Sequence, residues 1–290
     1  MNPTLRTLGL FALLTGIFLL VGYIIGLLYG GTLDALILFL ILAFIVNIFT
    51  YFFSSHLVLW SYGARIVDER QEPRVYSIVR QVAQNAGLPM PRVAVIETDI
   101  PNAFATGRNK RHAVVAVTRG LLNLMNDDEL EGVIGHEMGH IKDRDMLLMT
   151  VAATIVGALT FLSRFYLFQS IFSSRDREND IIAVIVLALA AFGAMLLQLA
   201  ISRQREFKAD EMSARITRKP LSLANALRKI EGYVERRPMQ NGNPSTASLF
   251  IVNPFRGRSI LNLFSTHPPT EERIKRLEKL AMKNSLNSIR

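Results

Sequence analysis

Residues 126–145 read NDDELEGVIGHEMGHIKDRD. Asn126 followed three residues later by Glu129 has the form of a capping box, the pair of reciprocal side-chain bonds that starts a helix. A helix begun there carries His136 and His140 four residues apart, one turn above each other on one face. Two imidazoles placed in this way can give nitrogens to a single metal ion, and zinc is the expected ion. Glu137 points to the side of the pair. It stands beside a water on such an ion rather than among the ligands. Zinc would bring that water's pKa towards about 7, and Glu137 can take its proton as general base. Gly135 and Gly139 each cost about 1 kcal/mol inside a helix relative to alanine. Their presence predicts that another element packs closely against this one.

The spacing H-E-x-x-H also arises by chance on ordinary helices with surface histidines. Here the context favours the metal. The chain has only five histidines, and two of them fall in this spacing. Upstream, RVAVIET (92–98) and HAVVAVT (112–118) read as strands, with PNAFATG (101–107) extended between them and ending in a turn. Before these, Val75, Ile78, Val79, Val82 and Ala83 repeat at helical spacing, and Gly87, Pro89 and Pro91 stop that helix.

A catalytic zinc site wants three protein ligands and an open position. Glu206 and Asp210 in REFKAD (205–210) are four apart on one helical face. One can bind the metal while the other orients an imidazole N–H, although an exposed acidic pair among bases has the same spacing. His267, between Thr266 and two prolines, is the competing ligand. His56, at the end of an apolar run, and His112, at the start of a strand, read as structural. Helices are also expected over SRQREFKADEMSARI (202–216), over Leu221 to Tyr233, and from a cap at Thr270 to near the C-terminus. The Pro-, Gly- and Asn-rich stretch 236–259 reads as a loop.

Four runs have no Asp, Glu, Lys or Arg: Thr7 to Leu33, Ala35 to Ala64, Met146 to Ser163 and Ile181 to Ser202. About 20 apolar residues cross a hydrocarbon core. The first, second and fourth runs exceed that and the third is near the lower limit. The first is too long for a signal-peptide core and no small-residue cleavage site follows it, so a retained hairpin anchor is expected. The net charge is +9, concentrated in residues 65–144 and 203–290, while the turn between the first two runs has no base. By the positive-inside rule both blocks and the termini face the cytoplasm. The bases are interleaved with acids rather than forming a stripe with aromatics, which argues against a nucleic-acid partner. The absence of cysteine excludes disulfides and thiolate metal sites. Four segments follow: a transmembrane hairpin at 1–64, a first catalytic part at 65–145, two further spans at 146–202, and a second catalytic part at 203–290. The expected fold class is an α+β membrane protein, mainly α-helical, with four transmembrane helices and a small β-sheet in the catalytic domain. Nothing in the sequence sets an oligomeric state.

With PNAFATG, HEMGH (136–140), REFKAD and HPPTEERI (267–274) in place, the chain resembles, over nearly its whole length, the HtpX family of bacterial membrane-bound zinc metalloproteases, relatives of the eukaryotic prenyl-protein endoproteases. The resemblance implies a gluzincin-type domain on the cytoplasmic face of the inner membrane. It implies one zinc ion on His136, His140 and Glu206, with Glu137 as base and Asp210 in support. It further implies proteolytic quality control of damaged or misfolded membrane proteins, with unfolded polypeptide as substrate. The segment 102–104 would be an edge strand for substrate, with Asn102 positioning it. His267 would either stabilise the tetrahedral intermediate or pack its loop. The alternatives are a membrane scaffold that keeps its metal structurally, and a peptidase for lipidated substrates.

Overall fold

The computed structural model describes residues 3–155, 203–238, 249–252 and 268–288. Helices α1 (Pro3–Tyr29) and α2 (Thr32–Ser61) form a hairpin. The chain reverses at Gly30 and Gly31, which take φ of 80° and 76°, a region glycine enters without penalty. Both helices contain stretches long and apolar enough to cross a membrane, with mean hydropathy of 2.5 and 2.6. Their large side chains face outward: Leu20, Ile41 and Phe44 are 57%, 53% and 66% exposed. A bilayer would cover this surface. The third apolar run is described as far as Ile155, as helix α6 (Asp145–Ile155). The rest of it, the whole fourth run and His267 lie outside the described residues.

Beyond the hairpin come β1 (Arg65–Val67), α3 (Pro73–Ala86), β2 (Arg92–Ile96), β3 (Ala103–Thr106), β4 (Val114–Thr118), α4 (Arg119–Leu124) and α5 (Asp127–Asp143). Helix α6 follows, then α7 (Arg203–Thr217), α8 (Pro220–Arg236) and α9 (Thr270–Ser288). The sheet order is β1-β2-β4-β3, with β2 and β4 parallel and the outer strands antiparallel to their neighbours. Both faces of the sheet are covered, which is why the strands read as continuous apolar runs rather than alternating ones. Val93, Val95, Val115 and Val117 pack with α3 and α5 in the main core. Ala94, Ile96, Ala116 and Phe104 pack on Val58 and Leu59 at the end of α2. The sheet is thus seated directly on the apolar hairpin. Helix α6 also lies against it, with Leu147, Leu148 and Val151 in one cluster with Leu10 and Leu14.

Helix α5 runs through the middle of the domain, buried without interruption from Glu129 to Ile141. Its capping box is formed as expected, with Asn126 Oδ1 accepting from the Glu129 amide and Glu129 accepting from the Asn126 amide. Glu129, Asp128 and Glu131 then take charged bonds from Lys229 and Lys219, pinning α8 and its start to the first turns of α5. The glycines of α5 serve close packing. A Cβ at Gly132 would lie 2.7 Å from the Leu223 amide nitrogen, at Gly135 2.7 Å from Ser213 Oγ, and at Gly139 3.1 Å from Ala209 Cα. Helix α7 can therefore approach closely, and Ser213 Oγ donates to the Gly132 carbonyl at 2.6 Å. Gly135→Ala gains helix propensity but must displace that serine and Thr217. The expected net effect is a loss of about 1–3 kcal/mol, readable as a lower unfolding midpoint in detergent.

Two boundaries differ from the sequence expectation. The helix expected through Asp145 ends at Asp143, where Arg144 takes φ 59°, and α6 starts at Asp145. Helix α9 starts with the Pro269 carbonyl accepting from Glu272, which puts Thr270 in the first turn instead of at the cap. The short elements β1 and α4 were not anticipated.

Candidate metal centre

Three elements converge at the site. Helix α5 brings His136, Glu137 and His140, α7 brings Glu206 and Asp210, and α9 brings Arg273. The histidine Nε2 atoms stand 3.2 Å apart. The Glu206 carboxylate faces both, with Oε2 3.6 Å from His136 Nε2 and Oε1 3.5 Å from His140 Nε2. These three ligand atoms lie within 4.8 Å of one another and all three residues are buried. An Nε2–H on one ring can bridge the two nitrogens, whereas a cation between them and the carboxylate serves all three groups at once. Two nitrogens and one carboxylate oxygen form the donor set of a catalytic zinc site, and the residues present fit such an ion.

The outer contacts orient this set. Asp210 Oδ1 lies 2.9 Å from His136 Nδ1, so Nδ1–H donates to the carboxylate and the Nε2 lone pair is left for a metal. Asp210 is in turn gripped by Arg273, whose Nε and Nη2 donate at 2.9 and 2.7 Å. Arg273 Nη1 also donates to the Ile251 carbonyl at 3.0 Å and lies 3.8 Å from Glu206. Burial opposes ionisation of Asp210, yet the Arg273 guanidinium holds its carboxyl below the ordinary range. Among the described residues His140 Nδ1 has no hydrogen-bond partner; Asp145 Oδ2 is 4.0 Å away, and the other oxygen of that carboxylate pairs with Arg205 at 3.3 Å.

Glu137 is outside the ligand set, as its position on α5 requires, and is 4% exposed. Burial pushes its carboxyl above the ordinary range, against the pull of His136 and His140. A raised carboxyl pKa suits a residue that must accept a proton and later return it. The cleft it faces is walled by Ala103, Phe104 and Ala105 of β3, by Leu249, Phe250 and Ile251, and by Met149 of α6. The Ala105 backbone hydrogen-bonds Glu137, so that edge of β3 is turned towards the site.

Asn102, expected to position the substrate, is 1% exposed. Its side chain donates to the Leu249 carbonyl and accepts from the Ile251 amide, both at 3.1 Å. It holds the 249–251 wall of the cleft in place. Arg273 was not anticipated as a site residue. Its signal was its phase: it falls in step with Ile274, Leu277 and Leu280 on the apolar face of α9 and is 1% exposed. His112 sits in the loop after β3, and His56 faces outward on α2, both apart from this cluster.

Comparison with known proteins identifies the family. The chain is 57% identical over 282 residues to "Protease HtpX homolog" of Thermococcus kodakarensis, covering 96% of both chains. It is 52% identical to the protein of that name in Pyrococcus furiosus over 281 residues, covering 96% of each. With that of Salinibacter ruber it shares 50% over 280 residues, covering 96% of this chain and 98% of the other. Among solved structures it resembles Ste24p of S. mikatae with a TM-score of 0.50 at 19% identity, covering 94% of this chain and 65% of that one, a likeness of fold. Peptidase family M48 matches residues 69–281, a span that contains His136, Glu137, His140, Glu206, Asp210 and Arg273. The chain therefore belongs to peptidase family M48, as a membrane-bound metallopeptidase.

Proposed function

We propose that the metal is one zinc ion held by His136, His140 and Glu206, and that the chain is an endopeptidase for unfolded segments of membrane proteins. The observation that carries this reading is the convergence of two Nε2 atoms and one carboxylate in a buried cleft that also contains an acid outside the ligand set. Zinc, when bound, would supply Lewis-acid polarisation of the scissile carbonyl and of water. The remaining work falls to the chain. Glu137 accepts the proton of the attacking water and returns it to the leaving amine. Asp210 keeps the His136 proton on Nδ1. Arg273 keeps Asp210 ionised and in place.

Substrate would bind as an added strand. Strand β3 is the outer strand of the sheet among the described residues. The Ala105 backbone faces the site, and in a strand Ala103, two residues earlier, presents its backbone groups to the same side. An extended peptide paired along that edge would pass Glu137, with affinity from main-chain bonds rather than from side-chain selection. This mode suits damaged or misfolded chains of many sequences and agrees with a role in quality control. We place the domain on the cytoplasmic face of the plasma membrane, on the distribution of bases along the chain. In that arrangement residues 146–202 supply two further spans, and 65–145 and 203–290 together form the catalytic domain. A cleft beside α2 and α6 would receive loops or termini emerging from the bilayer.

The ligand set is tested by metal content. Glu206→Ala and His136→Ala, purified as the full chain in detergent, are each expected to lose stoichiometric zinc and all measurable cleavage. Full zinc occupancy in Glu206→Ala would remove Glu206 from the set.

A further inference from the structure

Strand β3 runs into the loop Gly107–His112, with the sequence GRNKRH. The loop is tightly built. Gly107 has φ 140°, and a Cβ there would lie 2.4 Å from the His112 carbonyl oxygen, so the turn closes only around glycine. Asn109 Oδ1 accepts from the amides of Arg111 and His112 at 3.0 and 3.1 Å and from His112 Nδ1 at 2.8 Å. Because an amide oxygen only accepts, Nδ1 carries the proton, and His112 Nε2 accepts from Arg108 Nη2 at 2.9 Å. These bonds hold Arg108, Lys110 and Arg111 in one small region.

These three cations have no carboxylate partner among the described residues. Elsewhere in the same domain Arg65, Arg74, Arg80 and Arg119 each pair with an acid; Arg70 and Arg92 also have no acid among the described residues, but they stand singly rather than in one loop. Three like charges gathered without an acid beside them repel one another and set up a local positive potential that an external anion would relieve. Their depth says which anion. The Arg108 guanidinium lies over the Phe52 ring of α2, 5.2 Å from its centroid. Phe49, Phe52 and Phe53 are 48%, 44% and 50% exposed and belong to the charge-free run. About 20 residues cross the hydrocarbon core. Counted from Ala35, just after the only acid of α2, the core ends near Ser54. Phe52 thus sits at the boundary of the hydrocarbon, and the loop beside it at the depth of lipid phosphates.

We propose that Arg108, Lys110 and Arg111 form a binding site for anionic phospholipid headgroups, and that its occupancy couples the bilayer to the substrate strand. The coupling is direct, since β3 leads into the loop and ends at Thr106, whose Oγ1 is 3.0 Å from Thr150 Oγ1 on α6. Lipid held at the loop fixes that end of β3 relative to the hairpin and to the cleft. The site rests on the reading of α1 and α2 as a membrane hairpin and needs no assumption about zinc.

The test compares the full chain with Arg108→Gln/Lys110→Gln/Arg111→Gln and with Lys110→Gln/Arg111→Gln, which breaks no side-chain hydrogen bond seen in the loop. Each is offered phosphatidylglycerol and phosphatidylcholine in equal amounts, and retained lipid is counted by native mass spectrometry. The wild type should keep phosphatidylglycerol in preference, with the preference falling by roughly fivefold per cation removed. In nanodiscs, wild-type casein cleavage should rise when phosphatidylglycerol is added to phosphatidylcholine. The variants should match wild type in phosphatidylcholine alone, with the rise reduced in the double variant and absent in the triple. Equal retention by all three proteins overturns the proposal, whatever the cleavage assay shows. Slower cleavage by the variants in phosphatidylcholine alone, with retention unchanged, assigns the loop to acidic polypeptide and also overturns it. Lipid preference without cleavage by any form supports the site and counts instead against the peptidase reading.

Discussion

Glu137→Gln should retain a full equivalent of zinc and lose about 10²–10⁴-fold in the rate of peptide cleavage. The two halves of this result have separate causes. The proposed ligand atoms belong to His136, His140 and Glu206, and glutamine at 137 changes none of them. The amide has nearly the shape of the acid and is neutral, so the buried cleft, which already disfavours the charged carboxylate, should accept it without loss of stability. The amide cannot take a proton from water at neutral pH. Turnover at the wild-type rate would assign the base elsewhere, and loss of zinc would put Glu137 among the ligands. A rate that falls with zinc and fold intact fits only a group acting on the reacting atoms.

Arg273→Met should cost about 3–5 kcal/mol of stability, the usual consequence of removing one partner of a buried ion pair. Arg273 is among the largest fully buried side chains, and three of its nitrogens are bonded, two of them to Asp210. Methionine fills much of the volume but leaves Asp210 without its counter-charge and the Ile251 carbonyl without its donor. Arg273→Lys should rescue little, because a single ammonium cannot reproduce the bidentate fork on Asp210. Adding Asp210→Asn to Arg273→Met should recover part of the loss, giving a coupling of about 0.5–3 kcal/mol. Zinc affinity should fall about 10–100-fold in the single variant, as His136 loses the group that orients it. Additive single and double losses, or a change under 1 kcal/mol, would mean that the pair carries no charge compensation.

Much of this site is local and could be read along the chain. The capping box, the histidine spacing and the close-packed glycines all lie within one helix of 17 residues, and each depends on neighbours at most four positions away. Strands β2 and β4 were legible because both faces of the sheet are covered, which leaves uninterrupted β-branched runs. Glu206 and Asp210 were visible as a pair, but a buried and an exposed i, i+4 pair look alike, and only the family resemblance told the ligand from its neighbour. The contacts of Arg273 span 63 residues to Asp210 and 137 to His136, so its role could not be read locally. The break at Arg144 was hidden for a different reason. A left-handed residue at a helix end is usually glycine or asparagine, and IKDRD has neither. Strand β1, with three residues, and α4, with six, are too short to show a period. The continuity between the sheet and the end of α2 through Val58 and Leu59 also needed the structure, since an apolar helix end reads the same whether it meets lipid or protein.

The most direct test of the account is a zinc titration of the metal-stripped full chain in detergent, with cleavage of labelled casein followed at each addition. Cleavage should be absent at the start, rise linearly and stop rising at one equivalent of zinc per chain, with Glu137→Gln binding the same equivalent and staying inactive. Cleavage that survives complete removal of metal, or that first appears after the first equivalent is bound, would contradict a single catalytic zinc on His136, His140 and Glu206.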